Sequence, residues 1–346
     1  MNWKTRICAL AMAAAMTVPA AAFSDTSGHW AGAAIDRWSG EKVITGFEDG
    51  TFQPNAPITR AQMASLLNKI FGWSQRAENQ FQDLPDSAWY ADAILKANAA
   101  GVIQGGSGMV RPGDTITRQE AAVMLYRAFC MEREEQAVSF TDAGAIASWA
   151  MEAVSTMAAK GYITGMPDGS FAPQGQLTRA QAATILDKIV SGYYDWAGVY
   201  IADGAKLAVV RAPGVTLLDV TAHDILLTPA ACGSETVLNH VTVENRLMVQ
   251  GGDRYTSTEL MGETEVERLI ITGENALVRL HDKAKVGEVV ISGKNADVRG
   301  LKKGTPVTVN AEGVKVNGHA MEQGRGEAGR DISTSGPTID IVVGIA

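Results

Sequence analysis

Cysteine is scarce in this chain: there are three in 346 residues. Cys8 falls in the apolar N-terminal stretch, too early for a lipoprotein cleavage box, while Cys130 and Cys232 stand about a hundred residues apart in segments of different character. That spacing argues against a disulfide framework, and a small buried apolar side chain is the simplest role for the latter two. Long apolar runs are missing too. Ile7 to Val18 holds about a dozen residues where a bilayer-spanning helix needs roughly 20, so no membrane span is expected. Positive charge is in deficit, with 30 Lys and Arg against 38 Asp and Glu and a formal charge of -8, which argues against non-specific binding to nucleic acid. His223, His240, His281 and His319 are dispersed singly, with no pair at metal-ligand spacing, and each reads as a surface or hydrogen-bonded side chain. Gly324-x-Gly326-x-x-Gly329 has the spacing of a dinucleotide fingerprint, but no evident strand precedes it and no helix follows, so it is read as a flexible linker. No catalytic constellation, metal site or cofactor is expected.

What is present begins with an export signal over residues 1–22: Lys4 and Arg6, the apolar stretch, then Ala20-Ala21-Ala22 as a small-residue cleavage site. A secreted protein is expected. The remainder is long enough for two or three folding units, and 46% hydrophobic residues can supply their cores.

Self-similarity dominates the first half. Each of three copies opens with Phe23 and Asp25, Phe81 and Asp83, or Phe140 and Asp142, followed by Trp30, Trp89 or Trp149. Further on come Gly46, Gly105 and Gly165, and then Ile58-Thr59-Arg60, Ile116-Thr117-Arg118 and Leu177-Thr178-Arg179. Apolar or small residues at helical spacing between tryptophan and glycine predict one amphipathic helix per copy. Gly101 and Gly161 suit its left-handed C-cap in copies two and three; copy one has Lys42 there, and its helix is expected to end sooner. A loop with Asp49-Gly50 or Asp168-Gly169 follows, one residue shorter and without the aspartate in copy two. A second helix starts at each threonine, because Thr59 with Gln62, Thr117 with Glu120 and Thr178 with Gln181 have the capping-box pattern. Ala64, Ala122 and Ala183 recur at one turn of these helices, which would let them approach closely as a central bundle.

A cation in the first turn of a helix faces the positive end of the macrodipole, yet all three copies place arginine there. Free backbone amides and a planar guanidinium fork together suit a carboxylate or phosphate. The alternative is that each arginine pairs with a module carboxylate such as Asp49 or Asp168 to fix the loop. The tryptophans are likewise open between a core role and stacking on a sugar ring at a groove edge.

Phe-x-Asp, the tryptophan, the Ile-x-Gly turn, the Asp-Gly-x-Phe-x-Pro loop and the Thr-Arg-Ala-Gln or Thr-Arg-Gln-Glu box resemble the S-layer homology domain, over residues 23 to about 190. The resemblance implies an all-α pseudo-trimer of helix-loop-helix modules that binds secondary cell wall polysaccharide, typically pyruvylated, without a covalent bond. Arg60, Arg118 and Arg179 would hold the polymer's carboxylate, and Trp30, Trp89 and Trp149 with Gly46, Gly105 and Gly165 would shape the grooves. Gln62 and Gln181 depart from the family's glutamate, and the shortened second loop puts its groove in doubt.

After Trp196 the helical period gives way to short valine- and isoleucine-rich runs between turn residues. Val266 to Gly273 is echoed 20 residues later by Val286 to Gly293, the step of one coil in a parallel β-solenoid, with a β-sandwich as the runner-up. The expected organisation is a signal at 1–22, repeats at 23–75, 76–135 and 136–192, an all-β domain at 197–320 and a flexible tail at 321–346 whose residues 338–346 are a candidate last strand. Functionally, the chain reads as a non-enzymatic protein of the cell wall or surface, its β-domain a structural or adhesive passenger. Its partner is secondary cell wall polysaccharide or a peptidoglycan-linked polymer, with self-assembly in a surface layer left open. The alternatives are a wall-anchored carbohydrate-active enzyme with its site on the β-domain, and a tether between envelope layers.

Overall fold

The structure is a computed structural model that describes residues 23–136, 139–201, 203–253, 255–281 and 283–329; the export signal and the candidate strand at 338–346 lie outside them. Among the described residues six α-helices come first, two per repeat: α1 Gly32–Gly40, α2 Arg60–Phe71, α3 Ala91–Ala99, α4 Arg118–Ala128, α5 Ser148–Ala159 and α6 Arg179–Ile189. Each second helix begins with a complete capping box, in which the threonine oxygen accepts from the amide three residues on and the Gln62, Glu120 or Gln181 side chain accepts from the threonine amide. Past the first helices the chain turns through Gly101 (φ 70) and Gly161 (φ 72). The early stop expected for α1 does not occur. Lys42 itself adopts the left-handed conformation (φ 56), and α1 has nine residues, as α3 does.

Of the second helices, α2 and α4 meet at their C-terminal ends, where the Phe71 and Phe129 ring centres are 5.1 Å apart. Each of the three packs mainly on the first helix of the following copy: α2 on α3, α4 on α5, and α6 back on α1. The residues that lead into the second helices also join the three copies. The Ile58 amide donates to Leu177 O (2.9 Å), the Leu177 amide to Ile116 O (3.0 Å) and the Ile116 amide to Ile58 O (3.0 Å), a closed ring in which all three side chains are buried. No copy completes its own core, so the three repeats fold as one body.

The chain then forms a two-sided parallel β-solenoid. One sheet contains β1 Gly192–Tyr194, β3 Ala205–Val210, β5 Thr221–Leu227, β7 Thr242–Val249, β9 Glu265–Ile271, β11 Lys285–Ile291 and β13 Pro306–Val309, in that order. The other contains β2 Gly198–Tyr200, β4 Val215–Leu218, β6 Thr236–Asn239, β8 Thr258–Met261, β10 Leu277–Leu280, β12 Asp297–Arg299 and β14 Lys315–Val316. The 20-residue echo is the coil: Val266 lies beside Val286 and Ile271 beside Ile291 in parallel register, which rules out the sandwich. Leu247, Leu269, Val289 and Val307 stack as one inward ladder, all buried. The solenoid starts at Gly192, five residues before the expected boundary. The tail reading of 321–329 is also corrected: β15 His319–Ala320 and β16 Gly324–Glu327 pair antiparallel with β14 and β13. They cover backbone groups that the last coil would otherwise leave open.

The first sheet presents a second apolar face outward. Leu207, Val209, Leu226, Met248 and Ile270 join the helical core, which makes one hydrophobic body of the two halves. Each such side chain contributes about 1.5–3 kcal/mol as an upper estimate. Arg246 fixes the polar edge of this junction. Its guanidinium is buried, donates from Nε and Nη2 to both oxygens of Asp224 (3.2 and 2.9 Å) and from Nη1 to Cys130 O (2.8 Å). Gly72 (φ 60) ends α2 against the solenoid, where an added Cβ would lie 2.4 Å from Ala230.

Candidate functional site

The three arginines open α2, α4 and α6, and their surroundings revise the anion argument. The helix-end amides are already occupied. Arg60 and Ala61 donate to Asp114 O and Pro112 O, Arg118 and Gln119 to Gly175 O and Pro173 O, and Arg179 and Ala180 to Ala56 O and Pro54 O. In each case the acceptors belong to the loop of another copy. The guanidiniums follow the same cycle. Nε of Arg60, Arg118 and Arg179 donates to Val110 O (2.9 Å), Phe171 O (2.8 Å) and Phe52 O (2.8 Å), and Nη2 to Gln104 O (3.1 Å), Thr164 O (2.9 Å) and Thr45 O (2.9 Å). The last three carbonyls immediately precede Gly105, Gly165 and Gly46. Each arginine is thus a clamp on a neighbouring turn, and its charge is tolerated at the helix start because carbonyl dipoles surround it.

Neither Asp49 nor Asp168 is the arginine's partner. Asp49 accepts from the amide and hydroxyl of Thr51, and Asp168 from those of Ser170, inside their own turns. The Phe-x-Asp carboxylates pin the loop: Asp25 accepts from the Phe52 and Gln53 amides, Asp83 from Val110 and Arg111, and Asp142 from Phe171 and Ala172. The second amide in each pair belongs to a residue with positive φ (Gln53 55, Arg111 51, Ala172 55), so the carboxylate stabilises a strained position. Burial pushes the Asp25 carboxyl up, but the two amides together hold it below the usual range. In copy two the shortened loop is a tight turn with Ser107 (φ 53) and Gly108 (φ 75) at its tip, closed by Gly106 and Met109.

What distinguishes the copies is the remaining nitrogen, Nη1. In Arg60 it donates to Glu120 (3.2 Å), which also caps Thr117 and meets Arg111 (3.3 Å). Gln62 and Gln181 occupy that capping position in the other copies and carry no charge. Among the described residues no carboxylate lies within ion-pair distance of Arg118 or Arg179. Burial pushes all three guanidiniums down from their ordinary value, and for Arg60 the Glu120 charge opposes this.

Trp30, Trp89 and Trp149 are 64, 70 and 56% exposed, so the core reading fails for all three; Trp38 and the helix faces supply the core instead. The glycines are required first by packing. A Cβ on Gly46 would lie 2.3 Å from the Phe23 ring, on Gly105 2.4 Å from Phe81, and on Gly165 2.9 Å from Ser170 O. One member of each trio meets in a cavity of about 190 Å³, where Arg179, Gly46 and Trp89 face one another with Phe47 and Lys69. The Arg179 guanidinium lies over Phe47 and Phe52, 4.9 and 4.4 Å from the ring centres. Trp149 lines a different cavity, toward the solenoid.

Lys69 was not anticipated. Its signal was in the sequence, since Lys69, Arg127 and Lys188 each follow the first-turn arginine by nine residues. Burial lowers the Lys69 ammonium from its ordinary value. On the solenoid, His281 is satisfied by the buried carboxylate of Glu259, which also accepts from Ser257 and Arg279, and His223 lies 3.7 Å from Glu244. No group of three or more metal-ligating side chains occurs among the described residues. No helix among them is long and apolar enough to cross a membrane.

Comparison with known proteins places these features in context. The model of the S-layer homology domain matches residues 22–64, 80–122 and 139–183. The exoglucanase XynX of Acetivibrio thermocellus is 35% identical over 170 residues, 47% of this chain and 16% of the enzyme. A cellulosome-anchoring protein of the same organism is 31% identical over 42% of this chain and 34% of its own length. The surface-layer 125 kDa protein of Lysinibacillus sphaericus is 28% identical over 64% of this chain and 19% of its own. The chain therefore spans about a third or less of each of these relatives.

Proposed function

Because residues 22–183 hold three S-layer homology domains, we propose that this cell-surface protein anchors itself without a covalent bond to an acidic polysaccharide of the bacterial cell wall, pyruvylated sugar being the ligand chemistry that suits it. The cavity of Arg179, Gly46 and Trp89 carries the reading. It offers a guanidinium edge with no carboxylate opposite, a second cation in Lys69 and an exposed indole, which together match a carboxylate-bearing sugar ring. The Arg118 junction has the same uncharged cap in Gln181. At the Arg60 junction Glu120 already supplies the anion, so this groove is the weakest of the three.

The solenoid is then a passenger, rigidly joined and structural or adhesive in role, and a shared surface layer is the assembly it would enter. A wall-anchored carbohydrate-active enzyme is the alternative, but both oxygens of Glu259, the buried carboxylate of the solenoid described above, are engaged by Ser257, Arg279 and His281. Co-sedimentation of the mature chain with purified sacculi tests the anchor. Wild-type protein pellets, stripping the polymer releases it, and Arg118→Ala with Arg179→Ala weakens it strongly; undiminished pelleting of that double variant would refute the assignment.

A further inference from the structure

A cavity of about 620 Å³ lies where α4 and α5 meet the solenoid. By repeat register it is the outer end of the Arg60 groove, since Trp149 and Arg127 stand where Trp89 and Lys69 stand beside Arg179. Here, however, a further wall comes from the outward face of β7 and β9, apolar at Met248 and Ile270, and from the residues just beyond these strands, Gln250 and Thr272, which are polar. The volume falls in the range of small-molecule sites.

Its polar groups are incompletely used. The half-buried Arg127 guanidinium has no hydrogen-bond or ion-pair partner among the described residues, and burial pushes it below its ordinary value. Gln250 donates through Nε2 to Cys130 Sγ (3.2 Å), while its Oε1 is buried with no partner among the described residues. The Tyr126 hydroxyl donates to Glu152 (2.7 Å), and Trp149 leaves an indole face open. A strong cationic donor without an acceptor, a buried acceptor without a donor and a flat aromatic face are complementary to one ligand type.

We propose that this cavity is a second binding subsite, for one acidic sugar unit, with its carboxylate or phosphate on Arg127, a hydroxyl donating to Gln250 Oε1 and its ring against Trp149. The charge that Glu120 cancels at the inner end of this groove is supplied at the outer end by Arg127. Ligand bound there touches both halves of the protein. The nature of the polymer rests on the anchoring reading above; the cavity and its unsatisfied groups do not.

The probe is wall polymer released from sacculi by mild acid, with the carboxyl-reduced polymer as control, titrated calorimetrically into the mature chain. Arg127→Gln should weaken the subsite about tenfold and lose the distinction between native and carboxyl-reduced polymer at this site, and the combined Gln250→Leu and Thr272→Val, which leaves the helices untouched, should weaken it several-fold while keeping that distinction. The unliganded melting temperature of the solenoid variant should be unchanged. If both variants bind as the wild type does while Arg179→Ala binds more weakly, the cavity is not a subsite and the anchor stands. If Arg179→Ala also binds as wild type, the anchoring reading falls as well. A phosphorylated wall polymer that competes equally identifies the anion as phosphate, whereas competition by a uronate disaccharide alone identifies it as carboxylate.

Discussion

Arg60 and Glu120 face one another at 3.2 Å across the junction between the first and second repeats, and Glu120 is the one charged residue among the three equivalent capping positions. Replacing it with glutamine keeps the cap, as Gln62 and Gln181 do, and releases the third guanidinium nitrogen. Glu120→Gln is expected to strengthen polymer binding several-fold by opening a third groove, at a stability cost of about 1–2 kcal/mol because the amide still accepts one bond. Paired calorimetric titration and urea unfolding read both. Weaker binding would mean that the ion pair shapes the groove rather than blocking it.

The turn glycines should rank by the contacts a methyl group would meet. Gly46→Ala and Gly105→Ala force an aromatic ring and a carbonyl apart from contacts of 2.3–2.8 Å, whereas for Gly165→Ala the nearest atom is at 2.9 Å. Denaturant unfolding should show losses of about 1–3 kcal/mol for the first two and a smaller loss for the third. Equal losses would mean that the rings move aside freely.

Trp89→Ala separates fold from function. The side chain is 70% exposed, so unfolding free energy should change by less than about 0.5 kcal/mol. Binding to sacculi should fall several-fold, as expected from the loss of a stacked ring worth about 0.5–1.5 kcal/mol. Trp38→Ala is the converse control, since that side chain is fully buried and its removal should cost about 3–5 kcal/mol.

The features legible in the sequence were those built from local chemistry. The capping boxes are four-residue patterns, and the 20-residue echo of Val266 in Val286 is the solenoid coil itself. The features that escaped depend on distant segments. Arg179 reaches Thr45 and Phe52 more than a hundred residues away, and nothing near it in sequence indicates that the helix-end amides are spent on Pro54 and Ala56. The outward face of the solenoid escaped for another reason. Leu269-Ile270-Ile271 is apolar without alternation because both faces are covered, and a continuous run does not say what covers the second. The exposure of the tryptophans was undecidable locally, since an aromatic before an amphipathic helix serves a core and a groove equally well.

The junction between the halves should weaken in acid. Glu132 lies 2.7 Å from Arg268 and 3.7 Å from Arg246, with Asp224 on the far side of the same cluster. Burial raises the Glu132 carboxyl, but the Arg268 hydrogen bond and the two arginine charges outweigh it and hold the group below its ordinary value. A carboxyl with a depressed native pKa stabilises the fold fully above its unfolded value, near about 4.3, and that contribution disappears as pH falls through the lower native value. Urea midpoints measured from neutral pH to about pH 3 should therefore fall more steeply for wild type than for Glu132→Gln, with the two curves converging at the acid end. Since Glu132 is partly exposed, added salt should narrow the gap between them at neutral pH. If the two proteins lose stability in parallel, the arginines do not depend on Glu132, and the junction is held by Asp224 and the apolar face of Met248 and Ile270.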